Sequence, residues 1–211
     1  MATFGMWAFI DENYYRRFHD IIVPSSNGTT QIDHLLVSPY GLFVIETKNM
    51  DGWIFGSENQ AKWTQQFYRK KFSFQNPLRQ NFRHIKCLSE YLNVNETHFH
   101  SVVFFIGECE FKTDMPSNVL NKGFKAHIES YRIPVLAEPD LSLIIDAIQR
   151  LKNDPSLTKA NHLKSLGDRH NSSTVCPKCG GKLVERTARR GPNAGSKFLG
   201  CSSYPKCKFT R

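Results

Sequence analysis

The chain predicts a mixed β-sheet flanked by helices, of the α/β or α+β class, with a small separate module at its C-terminal end. Three observations lead there. Strand-like segments come first and then alternate with two amphipathic helical stretches, an order that builds a sheet covered by helices. Apolar periodicity is lost over residues 153–174, which are largely polar. Four of the six cysteines fall after that break. A length of 211 residues fits one large domain or two smaller ones, and an apolar content of 40% is enough for a sizeable core.

The elements follow in order. Residues 14–23, "YYRRFHDIIV", read as a strand ending at Pro24, and "SSNG" as a turn. "TTQIDHLLVSPYGLFVIETKN", from Thr29 to Asn49, reads as two apolar strands joined at "SPYG". If Ser38 closes against Gly41 through a two-residue loop, Asp33 falls opposite Glu46 and Gln31 opposite Lys48. Pro39 with Gly41 favours instead a type I turn and a bulge, which slips that pairing by one. Residues 51–67 predict two short strands anchored by Trp53, Phe55 and Trp63. A helix starts at Asn76, a capping residue, with Pro77 in its first turn, and Leu78, Phe82, Ile85 and Leu92 share one face. "SVVFFIG", from Ser101, is a short apolar run of the kind that forms a buried strand, and "EPDLSLIIDAIQRLK" a second amphipathic helix. The domain so described covers 1–152. Residues 153–174 form the linker, with a helical turn near Leu163, and the terminal module covers 175–211.

That module contains Cys176, Cys179, Cys201 and Cys207, spaced C-x2-C and C-x5-C. Two close cysteine pairs brought together by a hairpin supply four thiolates, the tetrahedral set that Zn²⁺ takes. So short a module buries too little apolar area to fold alone, so a structural zinc would supply much of its stability. Disulfides suit exported proteins, and the N-terminus lacks the basic n-region and uninterrupted apolar run of a signal peptide. No stretch approaches the roughly 18 to 20 apolar residues that span a bilayer, so neither export nor a membrane is indicated and a cytoplasmic location is expected. Cys87 and Cys109 lack such spacing, and Cys87 reads as a small core residue.

Net charge is +9, and it is unevenly spread. From Val175 onward there are nine basic residues and one acid, Glu185, a net of +8 that leaves only +1 for the first 174 residues. A basic excess packed into a terminal module points to a polyanion partner. Arg189, Arg190, Lys197, Lys206 and Lys208 can meet phosphates, while Phe198, Tyr204 and Phe209 offer faces on which bases stack. Phe198 can equally pack the module's core, whereas Tyr204 and Phe209 are expected to be exposed. "CPKCGG", "ERTARRG" and "FLGCSSYPKC" resemble the C-terminal four-cysteine zinc ribbon of type IA DNA topoisomerases. The resemblance implies binding to DNA, mostly to single strands. No protein partner is indicated.

The remaining question is why an apolar hairpin carries Asp33, Glu46 and Lys48. Glu46 and Lys48, two apart, share one face of their strand, and Thr47 points the other way with Ile45. The charge pattern alone fits a partly buried ion-pair cluster as well as a metal site. The spacing D-x12-E-x-K is that of PD-(D/E)XK nucleases. "QIDH", "GLFVIETKN", "GWIFG", Trp63 and the "FQNPLRQN" segment with its following His-Ile resemble more specifically the nuclease-related domain, NERD, over roughly residues 14–150. That resemblance implies a restriction-endonuclease-like core. It also implies Mg²⁺ or Mn²⁺ held by Asp33, Glu46 and the Thr47 main-chain carbonyl, with Lys48 holding the attacking water or stabilising developing charge. Gln80 and His84, four apart on one helix face, would contact DNA or support the metal ligands; a plain surface or core histidine is the other reading of His84. His34 points away from Asp33 and reads as structural; in "YRKK" at 68–71, Arg69, Lys70 and Lys71 could contact phosphate, but such a stretch is more often a solvated run. Two departures from the family stand out. Ile32 precedes Asp33 where the motif has Pro, and "MATFGMWAF" contains no counterpart of the glutamate that the family's first helix contributes. The expected function is therefore a DNA-binding, metal-dependent nuclease, or else a DNA-binding protein that keeps the nuclease fold without turnover.

Overall fold

The computed structural model describes residues 10–177, 181–205 and 207–211. The chain divides into two units: the segment up to Val23 with Gln31–Asp154, and Pro24–Thr30 with Pro155–Arg211. Helices and mixed sheets make up the first, as the order of periodic segments predicts.

The first unit is built on a five-stranded sheet. Its strands are β1 (Arg16–Ser25), β2 (Gly28–Ser38), β3 (Gly41–Lys48), β7 (Phe99–Phe105) and β9 (Val119–Leu120), in the order β1-β2-β3-β7-β9. β2 and β3 are antiparallel, whereas β3, β7 and β9 run parallel. β3 lies in the middle, and its sequence shows why: Leu42, Phe43, Val44 and Ile45 are all fully buried, the continuous apolar run of a strand covered on both faces. Each such side chain contributes about 1.5–3 kcal/mol of burial. On one face Phe43 and Ile45 join Ile10, Tyr15, Leu36, Val102, Phe124 and Ile128, the last two from helix α2 (Phe124–Glu129). On the other face lies helix α1 (Pro77–Leu92), packed on β3 and β7. Helix α3 (Glu138–Asn153) buries Leu141, Ile144, Ile148 and Leu151 at helical spacing.

The β2–β3 hairpin keeps the simpler of the two expected registers. Ser38 pairs with Gly41, and the ladder continues to His34 opposite Ile45. The Ser38 hydroxyl decides against the bulge: it accepts from the Tyr40 N–H (3.2 Å) and donates to the Gly41 carbonyl (3.1 Å), closing the two-residue loop. Gly41 sits at φ +121°, and a Cβ there would lie 2.7 Å from the His98 carbonyl oxygen, so the position requires glycine.

Two strands continue from this sheet into a second one. β4 (Gly52–Phe55) follows β3 and β8 (Cys109–Phe111) follows β7, and each pair is parallel, β3 with β7 and β4 with β8. With β5 (Lys62–Phe67) and β6 (Lys70–Gln75) they form a four-stranded sheet in the order β6-β5-β4-β8. Trp63, fully buried and stacked on Phe105, centres the cluster that joins the two sheets. β6 falls partly on the run expected to be solvated. All but one of its residues are exposed, so no alternation of buried and exposed positions marked it as a strand.

In the second unit, helix α4 (Lys159–Asn171) occupies most of the segment expected to be a linker. Of its thirteen residues only His162 is buried, so no apolar stripe announces it. Thr158 caps it, and the Thr29 hydroxyl lies 2.7 Å from His162 Nδ1 while the Thr29 N–H donates to Ser165 (3.1 Å). β10 (Leu183–Thr187) and β11 (Lys197–Cys201) form an antiparallel ribbon, and Leu199 exchanges both main-chain hydrogen bonds with Arg211. The N-terminal segment without the family's glutamate lies outside the described residues, as do Cys179 and Lys206. Among the described residues no helix is long and apolar enough to cross a membrane.

Candidate active site and metal centre

Glu46 and Lys48 lie at the end of β3, on the side facing α1. The strand places them there by simple alternation: Phe43 and Ile45 face one cluster, so Val44, Glu46 and Lys48 face the other way. Glu46 is 2% exposed. Its Oε1 accepts from Lys48 Nζ at 2.5 Å, and its Oε2 lies 3.2 Å from His84 Nε2. Lys48 also donates to the Gln80 side-chain oxygen at 3.2 Å. Gln80 and His84 thus meet the two charged residues of β3, one helical turn apart on α1.

Helix α1 is held in this position by two buried asparagines. Asn76 accepts from the Leu78 N–H as N-cap, and its amide donates to the carbonyls of Ser57, Glu58 and Gln60. Asn81 donates to the Val44 carbonyl at 2.7 Å, to the Ser101 hydroxyl and to the Val102 carbonyl. These bonds fix the helix in height and rotation against β3 and β7. Asn81 escaped the reading of the sequence, although its place one residue after Gln80, on the apolar side of an amphipathic helix, is an unusual one for an amide and was the available signal.

Asp33 follows at the end of the β2–β3 ladder. By register it shares the α1 side with Leu35 and Val37, whose partners are Val44 and Leu42. Beyond His34 the ladder gives way to a side-chain bridge. Asp33 Oδ2 accepts from the Thr47 N–H (2.9 Å) and the Thr47 hydroxyl (3.0 Å), while among the described residues no hydrogen bond is made to Oδ1. The Lys48 carbonyl accepts from the Ile106 N–H on the β7 side. Main-chain groups alternate along a strand, so the N–H and C=O of Thr47 both point towards β2, into the gap that Asp33 spans. Burial first, and then the charge of Glu46, push the Asp33 carboxyl above its usual range, against the bonds from Thr47 and the attraction of Lys48. Burial pushes Glu46 upward too. The His84 hydrogen bond and the attraction of Lys48 overcome it, so this carboxyl lies below its usual range. One carboxylate is thus held ionised, and the other is poised to gain from a cation.

His34 faces away from Asp33, paired with Ile45 and set edge-on to His19, with their Nδ1 atoms 2.7 Å apart. Burial, with His19 beside it, lowers His34 to about 4.

In the ribbon, Cys176, Cys201 and Cys207 are buried, and their sulfurs all lie within 4.8 Å of one another, with Cys176 and Cys207 at 3.7 Å. Four sulfurs about 2.3 Å from a tetrahedral zinc sit about 3.8 Å apart, so the described trio fits that ion. The Ser203 N–H donates to the Cys201 sulfur (3.4 Å). Phe209 packs against this cluster with Leu199, so it is half-buried core where exposure was expected; the Cys201 N–H to Phe209 carbonyl bond draws it in. Tyr204 is 60% exposed, as expected. Phe198 lies on the outer side of β11, opposite Arg186. Arg186 crosses Gly200, where a Cβ would come within 2.8 Å of it, and sets its guanidinium over the Tyr204 ring at 5.7 Å. Arg186 is therefore a further cationic member of this face; its place in the basic stretch "ERTARRG" was the signal to read. Arg189, Arg190, Lys197 and Lys208 are exposed, and Lys197 pairs with Glu185.

The model of the nuclease-related domain matches residues 6–106, and that of the topoisomerase DNA binding C4 zinc finger matches residues 173–211. An uncharacterized protein of Bacillus anthracis is 36% identical over 170 residues, covering 76% of this chain and 78% of that protein. DNA topoisomerase 1 of Archaeoglobus fulgidus is 54% identical over 35 residues, 17% of this chain and 5% of the enzyme. DNA topoisomerase 1 of Mycoplasma genitalium is 31% identical over 96 residues, 44% of this chain and 13% of the enzyme. The chain thus spans only a small part of the topoisomerases it resembles. No solved structure matches. A zinc ribbon of the DNA-binding type and a nuclease-related fold both point to work on DNA, and the chain belongs to the nuclease-related domain family, with a topoisomerase-type C4 zinc finger at its C-terminal end.

Proposed function

We propose that the protein is a metal-dependent deoxyribonuclease that acts in the cytoplasm and is brought to DNA by its zinc ribbon. The reading treats 1–152 as the nuclease-like domain, 153–174 as the connection and 175–211 as the ribbon, with Cys176, Cys179, Cys201 and Cys207 as zinc ligands. The observation that carries it is the convergence at the end of β3: a buried carboxylate, a lysine and a second carboxylate around the main chain of Thr47.

Asp33 and Glu46, with the Thr47 carbonyl, would hold Mg²⁺ or Mn²⁺, hard cations that prefer oxygen ligands. Such an ion, when bound, lowers the pKa of a coordinated water and polarises the phosphate. Lys48, 18% exposed, reaches the solvent side of the site. There its ammonium would position the attacking water and offset negative charge growing on the phosphate oxygens. His84 contacts Oε2 of Glu46, leaving the Lys48-bound Oε1 for exchange with a cation. Gln80 holds Lys48 in line. In the ribbon, Phe198, Tyr204 and Arg186 would present stacking faces, and Arg189, Arg190, Lys197, Lys206 and Lys208 would meet phosphates, a combination suited to single strands.

A second reading keeps the fold and the DNA binding without turnover. One observation favours it: both oxygens of Glu46 are already engaged, by Lys48 and by His84, as in a closed ion-pair cluster. Incubation of the protein with single- and double-stranded DNA and Mg²⁺ or Mn²⁺ separates the two. Under the nuclease reading the wild type cleaves, and Asp33→Asn and Lys48→Ala each reduce cleavage by at least about 100-fold while binding persists. Binding with no cleavage by the wild type would establish the second reading.

A further inference from the structure

The first 174 residues are nearly neutral in sum, yet their charge is not evenly spread. Residues 59–89 carry seven lysines and arginines and no acid. The stretch begins with the β5–β6 hairpin and ends on α1, the helix that carries Gln80 and His84. Phe67 pairs with Lys70, so Tyr68 and Arg69 form the tip.

Tyr68 is the unusual residue. It is 85% exposed, the most exposed aromatic among the described residues, and its φ is +53°. A bulky side chain in the left-handed region costs roughly 1 kcal/mol or more, and glycine or asparagine would relieve it. The Tyr68 ring meets its neighbour Phe67 edge-on at 4.6 Å and is otherwise turned to solvent among the described residues. Arg69, Lys70 and Lys71 follow, all exposed. Lys71 lies on the outer face of the sheet with Trp53, through the pairings of both with Gln66, and Trp53 is 45% exposed. An exposed aromatic at a strained tip, followed by three cations and sharing its sheet with Trp53, over whose ring Lys112 Nζ sits at 4.8 Å, has the chemistry that takes bases on rings and phosphates on charges.

We propose that the β5–β6 hairpin is a second nucleic-acid contact, distinct from the ribbon, which takes an unpaired strand. Tyr68 stacks on a base, Arg69, Lys70 and Lys71 meet the backbone, and Trp53 extends the platform. Bases in a duplex hide their faces, so the aromatic part of the contact requires an unpaired strand. The acid-free stretch continues into α1, whose Gln80 and His84 meet Lys48 and Glu46, so a strand that follows it would run towards those residues. The proposal rests on the DNA reading above and extends it.

The test is binding of the full chain to a labelled single strand of about 20 nucleotides and to a duplex of the same length across a salt series, with no added Mg²⁺ or Mn²⁺, so that absence of cleavage does not affect the result. Arg69→Ala/Lys70→Ala/Lys71→Ala should weaken single-strand binding more than about tenfold near 0.1 M salt and lower the slope of log K against log salt by about 2, near 0.7 for each phosphate that the variant no longer neutralises. Tyr68→Gly should weaken single-strand binding about tenfold and leave duplex binding and the salt slope unchanged, with a melting temperature no lower than the wild type's. Arg189→Ala/Arg190→Ala serves as the ribbon's own arm. If the wild type binds neither DNA, the DNA reading falls with this one. If it binds and both hairpin variants match it, the hairpin contact alone is overturned. It is also overturned if Tyr68→Gly weakens duplex and single strand equally, or if a polyglutamate peptide competes as well as the oligonucleotide, which would make the face a dock for acidic protein.

Discussion

Glu46 shows how one side chain can be costly and useful at once. A carboxylate 2% exposed is tolerable only when both oxygens have partners, and here they are Lys48 and His84. His84→Ala removes one of them and should destabilise the protein by about 1–3 kcal/mol, the cost of a stranded buried acceptor. His84→Gln should recover part of the loss. Both are read from chemical denaturation. An unchanged midpoint for the alanine variant would mean that Glu46 does not depend on the imidazole. The sequence marked Asp33, Glu46 and Lys48 through their spacing. What it could not supply was the manner of contact. Asp33 reaches the Thr47 main chain in place of a ladder bond, and that depends on where β2 stops pairing with β3.

At the scale of elements, α1 is the part whose placement decides the site. Its cap and first-turn proline were legible, since Asn76 and Pro77 have local roles that need no tertiary partner. The same Asn76 amide also ties three carbonyls of the loop after β4, a contact between distant segments that no local pattern encodes. Asn76→Ala should therefore cost more than an ordinary cap, about 2–4 kcal/mol, and lower any cleavage by shifting Gln80 and His84. A loss below about 1 kcal/mol on denaturation would show that the loop bonds contribute nothing. Two elements that the sequence pattern does not announce share a cause. β6 and α4 bury almost nothing, so the periodicity that reveals a half-buried element is absent from them.

For the whole molecule, two different sources of stability stand side by side. The first unit has a core of apolar strands and helices; the ribbon has a cluster of cysteines with Leu183, Leu199 and Phe209. Zinc should thus be released with loss of the ribbon's structure while the first unit stays folded. With a strong chelator, thiol titration should show four newly reactive cysteines and far-ultraviolet circular dichroism should change little. Cys109 should stay unreactive at about pH 8, because burial pushes its thiol up to about 11. Cooperative unfolding of the entire chain on chelation would contradict this division. The cysteine spacing and the charge of the module foretold the ribbon well. The hairpin's charge was legible as "YRKK", but a short basic run is more often solvated than bound, and the near-neutral sum of the first 174 residues gave no reason to prefer the rarer case.

The central claim is that Asp33 and Glu46 form one oxygen-ligand site for a divalent ion. Manganese binding to the zinc-loaded protein, followed by electron paramagnetic resonance, tests it most directly. One Mn²⁺ per chain should bind, and Asp33→Asn should lose that site while the thiols stay protected by zinc. No Mn²⁺ bound by the wild type, or binding left intact in both Asp33→Asn and Glu46→Gln, would contradict it.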